Sequence, residues 1–129
     1  MGFRLKTSKK TKEIFEKIET SSRLKPFTLC KIAISLSLND DTSIESFNDS
    51  DTYGVELQRS TVTGEYDIIY KALMEMNLKR SLSDDEFFPI ITKKHIDRGA
   101  ELLRRAYDYS GASLEKFLNH ILIKGDLTL

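Results

Sequence analysis

The stretch Leu24-Lys25-Pro26-Phe27-Thr28-Leu29-Cys30-Lys31-Ile32-Ala33-Ile34-Ser35-Leu36-Ser37-Leu38 decides how the rest of the chain is read. Proline suits the first position of a helix, where a backbone N–H has no partner to lose, and the spacing predicts a helix from Phe27 to about Leu38. Leu29, Ile32, Ala33 and Leu36 share one side of it, with Ile34 and Leu38 on another. A helix that is apolar nearly all round is a central core helix or a subunit contact. Upstream, Arg23-Leu24-Lys25 is a turn. Before the turn, Thr7 or Ser8 caps a helix running to about Ser21 or Ser22, with Ile14, Phe15 and Ile18 inward. Earlier still, Phe3-Arg4-Leu5-Lys6-Thr7 alternates with period two, the pattern of a short half-buried strand. Phe3 and Leu5 point one way there, Arg4 and Lys6 the other.

Downstream, Asn39 to Tyr53 carries five acids and no base, which reads as a solvated loop ended by Gly54. Residues 55–63 read as a short extended or turn-rich piece closed by Gly64. Tyr66, Ile69, Leu73 and Met76 form a helical stripe ending near Asn77. Ser83-Asp84-Asp85-Glu86 has the form of a capping box, but Pro89 stands too far in for an unbroken helix. A short turn, a kink and a longer helix through Ile96, Ala100, Leu103 and Tyr107 are expected. Ser110-Gly111 is the stop signal, and Ser113 to Ile123 is a last short helix with Leu114, Phe117, Leu118 and Ile121 inward. Neither a repeat nor a linker interrupts the chain. The expectation is one mainly α domain over 1–129, small and helical, with a short N-terminal strand.

With 129 residues, 40% of them hydrophobic and 31% charged, the chain has the composition of a soluble globular domain long enough to bury a core. No apolar run is long enough to span a membrane. No signal peptide is readable behind Met1, and Lys6 replaces the Ser or Thr of a myristoylation site. A single cysteine excludes an internal disulfide, so a reducing, cytoplasmic location is expected. The net charge of zero hides an asymmetry. Residues 1–31 hold nine bases (Arg4, Lys6, Lys9, Lys10, Lys12, Lys17, Arg23, Lys25 and Lys31) against three acids, a balance of +6, and the remainder carries eleven against seventeen. Such an end suits a polyanion. The alternative is that the lysines merely solvate a helix face.

A basic strand followed by two helices is the order of a ribbon-helix-helix unit, in which two chains pair their strands and outward side chains enter the major groove. Arg4 and Lys6 are then the strand residues, and Arg23 and Lys25 flank a helix N-terminus suited to a phosphate. That reading requires a dimer; otherwise residues 3–7 are a tail. Cys30 lies in an apolar run, where core packing is the first reading and a reactive thiol the second. His95 and His120 lack companions at metal spacing, so no metal is expected. Arg59 and Arg98 are read first as partners of a carboxylate such as Glu65, Asp67 or Glu101, and second as phosphate contacts. Gly64 is read as a turn and Gly99 as a close approach of two helices.

Three segments carry a resemblance to a known family. The opening segment Leu24–Leu38 resembles its proline, Leu-Cys-basic, Leu-Ser-Leu stretch. Glu56-Leu57-Gln58-Arg59-Ser60-Thr61-Val62-Thr63-Gly64-Glu65-Tyr66-Asp67 is similar to its Asn-Arg-x-Thr-Leu-x-Gly-Glu-Tyr-Asp block, and His95-Ile96-Asp97-Arg98-Gly99 to its His-x-Asn-Arg-Gly block. The family is DndE, an accessory component of bacterial DNA phosphorothioation. Gln58 and Asp97 depart from it, each standing where the family has Asn. The resemblance implies a helical, tetrameric, non-catalytic DNA-binding protein, with nicked duplex as a proposed ligand. It implies partners that include an adenylating iron–sulfur protein and an ATPase, no cofactor in this subunit and no catalytic residue set. Alternatives are an assembly adaptor, docking through the acidic 39–53 loop and the apolar second helix, or a ribbon-helix-helix regulator.

Overall fold

The computed structural model describes residues 3–48, 50–111, 113, 115–117 and 119. It is mainly helical. Strand β1 (Arg4–Lys6) leads into α1 (Lys9–Ser22) and α2 (Pro26–Leu38). Strand β2 (Glu56–Gln58) runs directly into the single turn α3 (Arg59–Val62), followed by α4 (Asp67–Leu78). A short α5 (Asp84–Glu86) continues through a π-helical segment, Phe87–Thr92, into α6 (Lys93–Tyr109). No helix among the described residues is long and apolar enough to cross a membrane.

The caps explain the boundaries. The Ser8 hydroxyl accepts the Thr11 N–H at 3.0 Å and starts α1. Arg23, left-handed at φ 63°, ends it. Pro26 opens α2 as its position suggests. Ser83 and Glu86 form a complete capping box. Pro89 does not split the helix it opens: the turn widens to π geometry, and Thr92 Oγ1 donates to Phe87 O at 2.9 Å. The expected kink is thus a one-segment widening. Gly111, at φ 67°, follows the end of α6.

Helix α2 is central, lying along α6. Cys30, Ala33, Ile34 and Leu29 are fully buried, as are Ile96, Ala100 and Leu103 opposite them. The closest approach is at Gly99, where an added Cβ would stand 1.8 Å from the Ala33 carbonyl oxygen. Phe15 and Ile18 of α1 and Phe87 and Phe88 of the π segment complete the core. Phe117 is buried edge-on to Tyr107, with centroids 5.3 Å apart. Leu114, Leu118, His120 and Ile121 of the expected last helix lie outside the described residues, as do Met1 and Gly2.

Three expectations need correction. First, β1 has its partner within the chain: it pairs antiparallel with β2 in the register Arg4↔Gln58, Leu5↔Leu57, Lys6↔Glu56. Leu5 and Leu57 face the core while Arg4 and Lys6 stay exposed, but Phe3 is 65% exposed. The ribbon-helix-helix reading, which needed a second chain to satisfy this strand, falls with that pairing. Second, the acidic loop is not solvated throughout, because Ile44 within it is fully buried. Third, the Tyr66, Ile69, Leu73, Met76 stripe faces outward, each residue at least 44% exposed. Helix α4 has a second apolar line, Tyr70, Met74 and Leu78, and that one enters the core. Periodicity finds two apolar faces without saying which is covered.

Gly99→Ala should destabilise the fold by about 2–3 kcal/mol in urea unfolding, since the overlap is with backbone and cannot be relieved by a rotamer change. A stability equal to the parent's would show that α2 and α6 are free to separate.

Candidate nucleic-acid interface

The basic residues are placed by α1. Its buried stripe, Thr11, Ile14, Phe15 and Ile18, leaves Lys9 and Lys12 on the outer face and Lys10 and Lys17 on the flank beside α6. The head of the helix is fixed by Asp97, which is 97% buried. Its carboxylate accepts the Ser8 N–H at 3.1 Å, the Thr11 hydroxyl at 2.7 Å and the Lys93 ammonium at 2.7 Å, with the Ser50 hydroxyl on the second oxygen. A buried carboxylate needs such a set of donors to be tolerated. Sequence alone marks Asp97 only as a departure that adds a charge.

All nine candidate cations (Arg4, Lys6, Lys9, Lys10, Lys12, Lys17, Arg23, Lys25 and Lys31) are exposed. They do not form one patch. Arg4, Lys6, Lys9, Lys10 and Lys12 gather on β1 and the first turn of α1. Arg23 and Lys25 lie at the turn beyond its other end, roughly 20 Å away along a 14-residue helix. Lys17 stands between the two groups, and Lys31 is on α2. Four carry ion pairs: Arg4–Glu56 at 3.8 Å, Lys10–Glu101 at 2.7 Å, Lys17–Asp108 at 3.9 Å and Lys25–Glu19 at 3.8 Å. Lys6, Lys9, Lys12, Arg23 and Lys31 make no ion pair among the described residues. Between α1 and α6 runs a groove of about 240 Å³ lined by Ile14, Ile18 and Tyr107 and by charges of both signs, Lys10, Lys17 and Arg104 with Glu13 and Asp108. Arg104 was not foreseen.

The other singled-out residues are structural. Arg59 grips Asp67, with Nε at 2.8 Å and Nη2 at 2.5 Å, and lies over the Phe87 ring. Those bonds hold the Asp67 carboxyl below the usual carboxylate range. Arg98 takes no carboxylate among the described residues, contrary to the expectation. It closes the end of α2, donating to Ser37 O at 2.6 Å, Ser37 Oγ at 2.8 Å and Thr42 O at 2.7 Å. The Ser37 hydroxyl that accepts from Arg98 lies 2.7 Å from His95 Nδ1, and burial pushes the His95 pKa down to about 3. Cys30 is in the core, and burial, helped by Asp97, pushes its thiol up to about 12. A thiol so placed is a poor nucleophile. Among the described residues no three His, Cys, Asp or Glu side chains are grouped to hold a metal.

The family model described as DNA sulphur modification protein DndE matches residues 4–110. No curated protein shows significant sequence similarity to the chain. Two crystal structures share its fold. One, a glycine-to-lysine mutant of DndE involved in DNA phosphorothioation, has a TM-score of 0.61 at 17% identity, covering 80% of this chain and 97% of that one. The other, DndE from Escherichia coli B7A involved in DNA phosphorothioation modification, has a TM-score of 0.59 at 18% identity, covering 78% and 96%.

His95 makes stability pH-dependent. Unfolded chains, titrating near 6.5, bind more protons than folded ones between about pH 3 and 6.5, so stability rises with pH across that window. Going from pH 7 to pH 5 should remove about 2 kcal/mol in urea unfolding. In His95→Gln most of that drop should vanish; an unchanged drop would assign it to other groups.

Proposed function

The chain belongs to the DndE family of DNA sulphur modification proteins, and we propose that it serves DNA phosphorothioation as a non-catalytic subunit that holds duplex DNA. The observation that carries this reading is the group of exposed cations on β1 and the first turn of α1, Arg4, Lys6, Lys9, Lys10 and Lys12, of which Lys6, Lys9 and Lys12 make no ion pair among the described residues. Lysines meet phosphates as point charges, so binding is tolerant of sequence and falls steeply with salt. A nicked duplex is the substrate we favour, and the adenylating iron–sulfur protein and the ATPase are the partners to which the DNA is presented. The buried Cys30 speaks against a sulfur relay through this subunit.

An exposed apolar face supports self-assembly, for which we favour a tetramer: the outward stripe of Tyr66 and of Ile69, Leu73 and Met76 on α4 is what a subunit interface uses. The same stripe supports the adaptor reading better than α2 does, since apart from Phe27 the apolar side chains of α2 are buried or partly buried.

Two measurements test this. Lys6→Glu, Lys9→Glu and Lys12→Glu together should weaken duplex binding at least tenfold and flatten the salt dependence by about one unit of slope per lysine that touches phosphate. Undiminished affinity would remove the head of α1 from the contact surface. Leu73→Asp with Met76→Asp should lower the mass measured by light scattering; an unchanged mass would place the subunit contact elsewhere.

A further inference from the structure

The acids that meet α1 occupy positions suited to phosphate. Asp51 Oδ1 accepts the backbone N–H of Lys9, the first residue of the helix, at 2.8 Å, where an anion is favoured by geometry and by the helix dipole. The strap carrying Asp51 is anchored on both sides. Ser50 Oγ takes a hydrogen bond from Lys93 Nζ at 2.6 Å and donates to the buried Asp97. Gly54 N–H donates to Thr7 O at 2.9 Å, and Val55 N–H to Thr7 Oγ1 at 2.9 Å. A Cβ at Gly54 would stand 2.1 Å from Ser8 O, so the strap lies directly on the backbone entering α1. Its bonds to the Tyr53 and Lys9 amides hold the Asp51 carboxyl below its ordinary range. Further along, Glu101 pairs with Lys10 at 2.7 Å, and Asp108 is shared between Lys17 at 3.9 Å and Arg104 of its own helix at 3.5 Å. Both acids and both lysines are seven residues apart, so two turns of α6 match two turns of α1.

We infer that Asp51, Glu101 and Asp108 are built-in surrogates for DNA phosphates, so that the α1 face is screened by its own carboxylates and binds DNA by exchanging them for backbone phosphates. The inference rests on the DNA-binding reading above. Each exposed pair is weak alone. Acting together on one helix they set a threshold, which a duplex crosses because its phosphates form a dense array and a single carboxylate does not. The acidic 39–53 segment thereby gains a role: it holds the competitor at the head of the helix.

The test is a titration of a fluorescently labelled duplex with the full chain and two variants at the same salt. The first, Asp51→Asn, Glu101→Gln and Asp108→Asn, keeps an oxygen for the Lys9 amide and removes three charges. The second, Asp41→Asn, Glu65→Gln and Asp85→Asn, removes three exposed acids that pair with none of the α1 cations. The first variant, which frees Lys10 and Lys17 from their carboxylates, should bind at least about fivefold tighter, the worth of one charge contact at about 4 Å in water. The second variant should gain no more than about twofold in total, because more distant charges are screened by salt. Equal gains in both variants, or none in the first while the parent binds, overturn the surrogate role and leave the DNA reading standing. No binding by the parent or either variant overturns the DNA reading and the inference with it.

Discussion

Helices α2 and α6 meet backbone to backbone at Gly99 and Ala33, and the rest of the molecule is arranged around that approach. Any side chain at Gly99 would overlap the Ala33 carbonyl, so the two helices lie as close as their main chains allow. Its neighbours fix what surrounds the contact. Arg98 closes the end of α2 by taking the Ser37 and Thr42 carbonyls, and Asp97 binds the head of α1. Three consecutive residues thus set the separation of two helices, the end of one and the start of a third.

The placement of charge follows from this scaffold. Because Asp97 fixes the head of α1, Lys9 and Lys12 are turned outward, while Lys10 and Lys17 come beside α6 and its acids. The basic first quarter of the sequence therefore folds into two kinds of cation: those already facing a carboxylate and those facing solvent. A chain with no net charge can present a polyanion-binding surface in this way, provided its acids are held at measured distances rather than spread at random.

Much of the fold was legible because local chemistry and tertiary packing agree. Ser8, Pro26 and the Ser83–Glu86 box start helices where their side chains say they should, and Gly99 has the close-approach role read for it. Legibility failed where two readings were chemically equal. Helix α4 is apolar on two sides, and only the fold decides that Met74 goes inward and Leu73 outward. The strand at the N-terminus has an alternating pattern that calls for a partner without naming it, and the partner lay fifty residues away in the piece read as extended or turn-rich. At the candidate interface the cations were visible as composition. Their counter-ions were not, since Asp51, Glu101 and Asp108 approach α1 only through tertiary contacts.

The π-helical segment at Phe87–Thr92 has a consequence for how such chains can vary. Everything after it, including Asp97, Arg98 and Gly99, is aimed by the rotation accumulated through that widened turn. One residue more or fewer there would swing the downstream side chains by roughly 100° about the axis. Insertions and deletions between the capping box and Lys93 are therefore a matter of phase rather than of space, and relatives that keep the Arg-Gly pair in the same orientation must keep the same residue count in that turn even where its side chains differ.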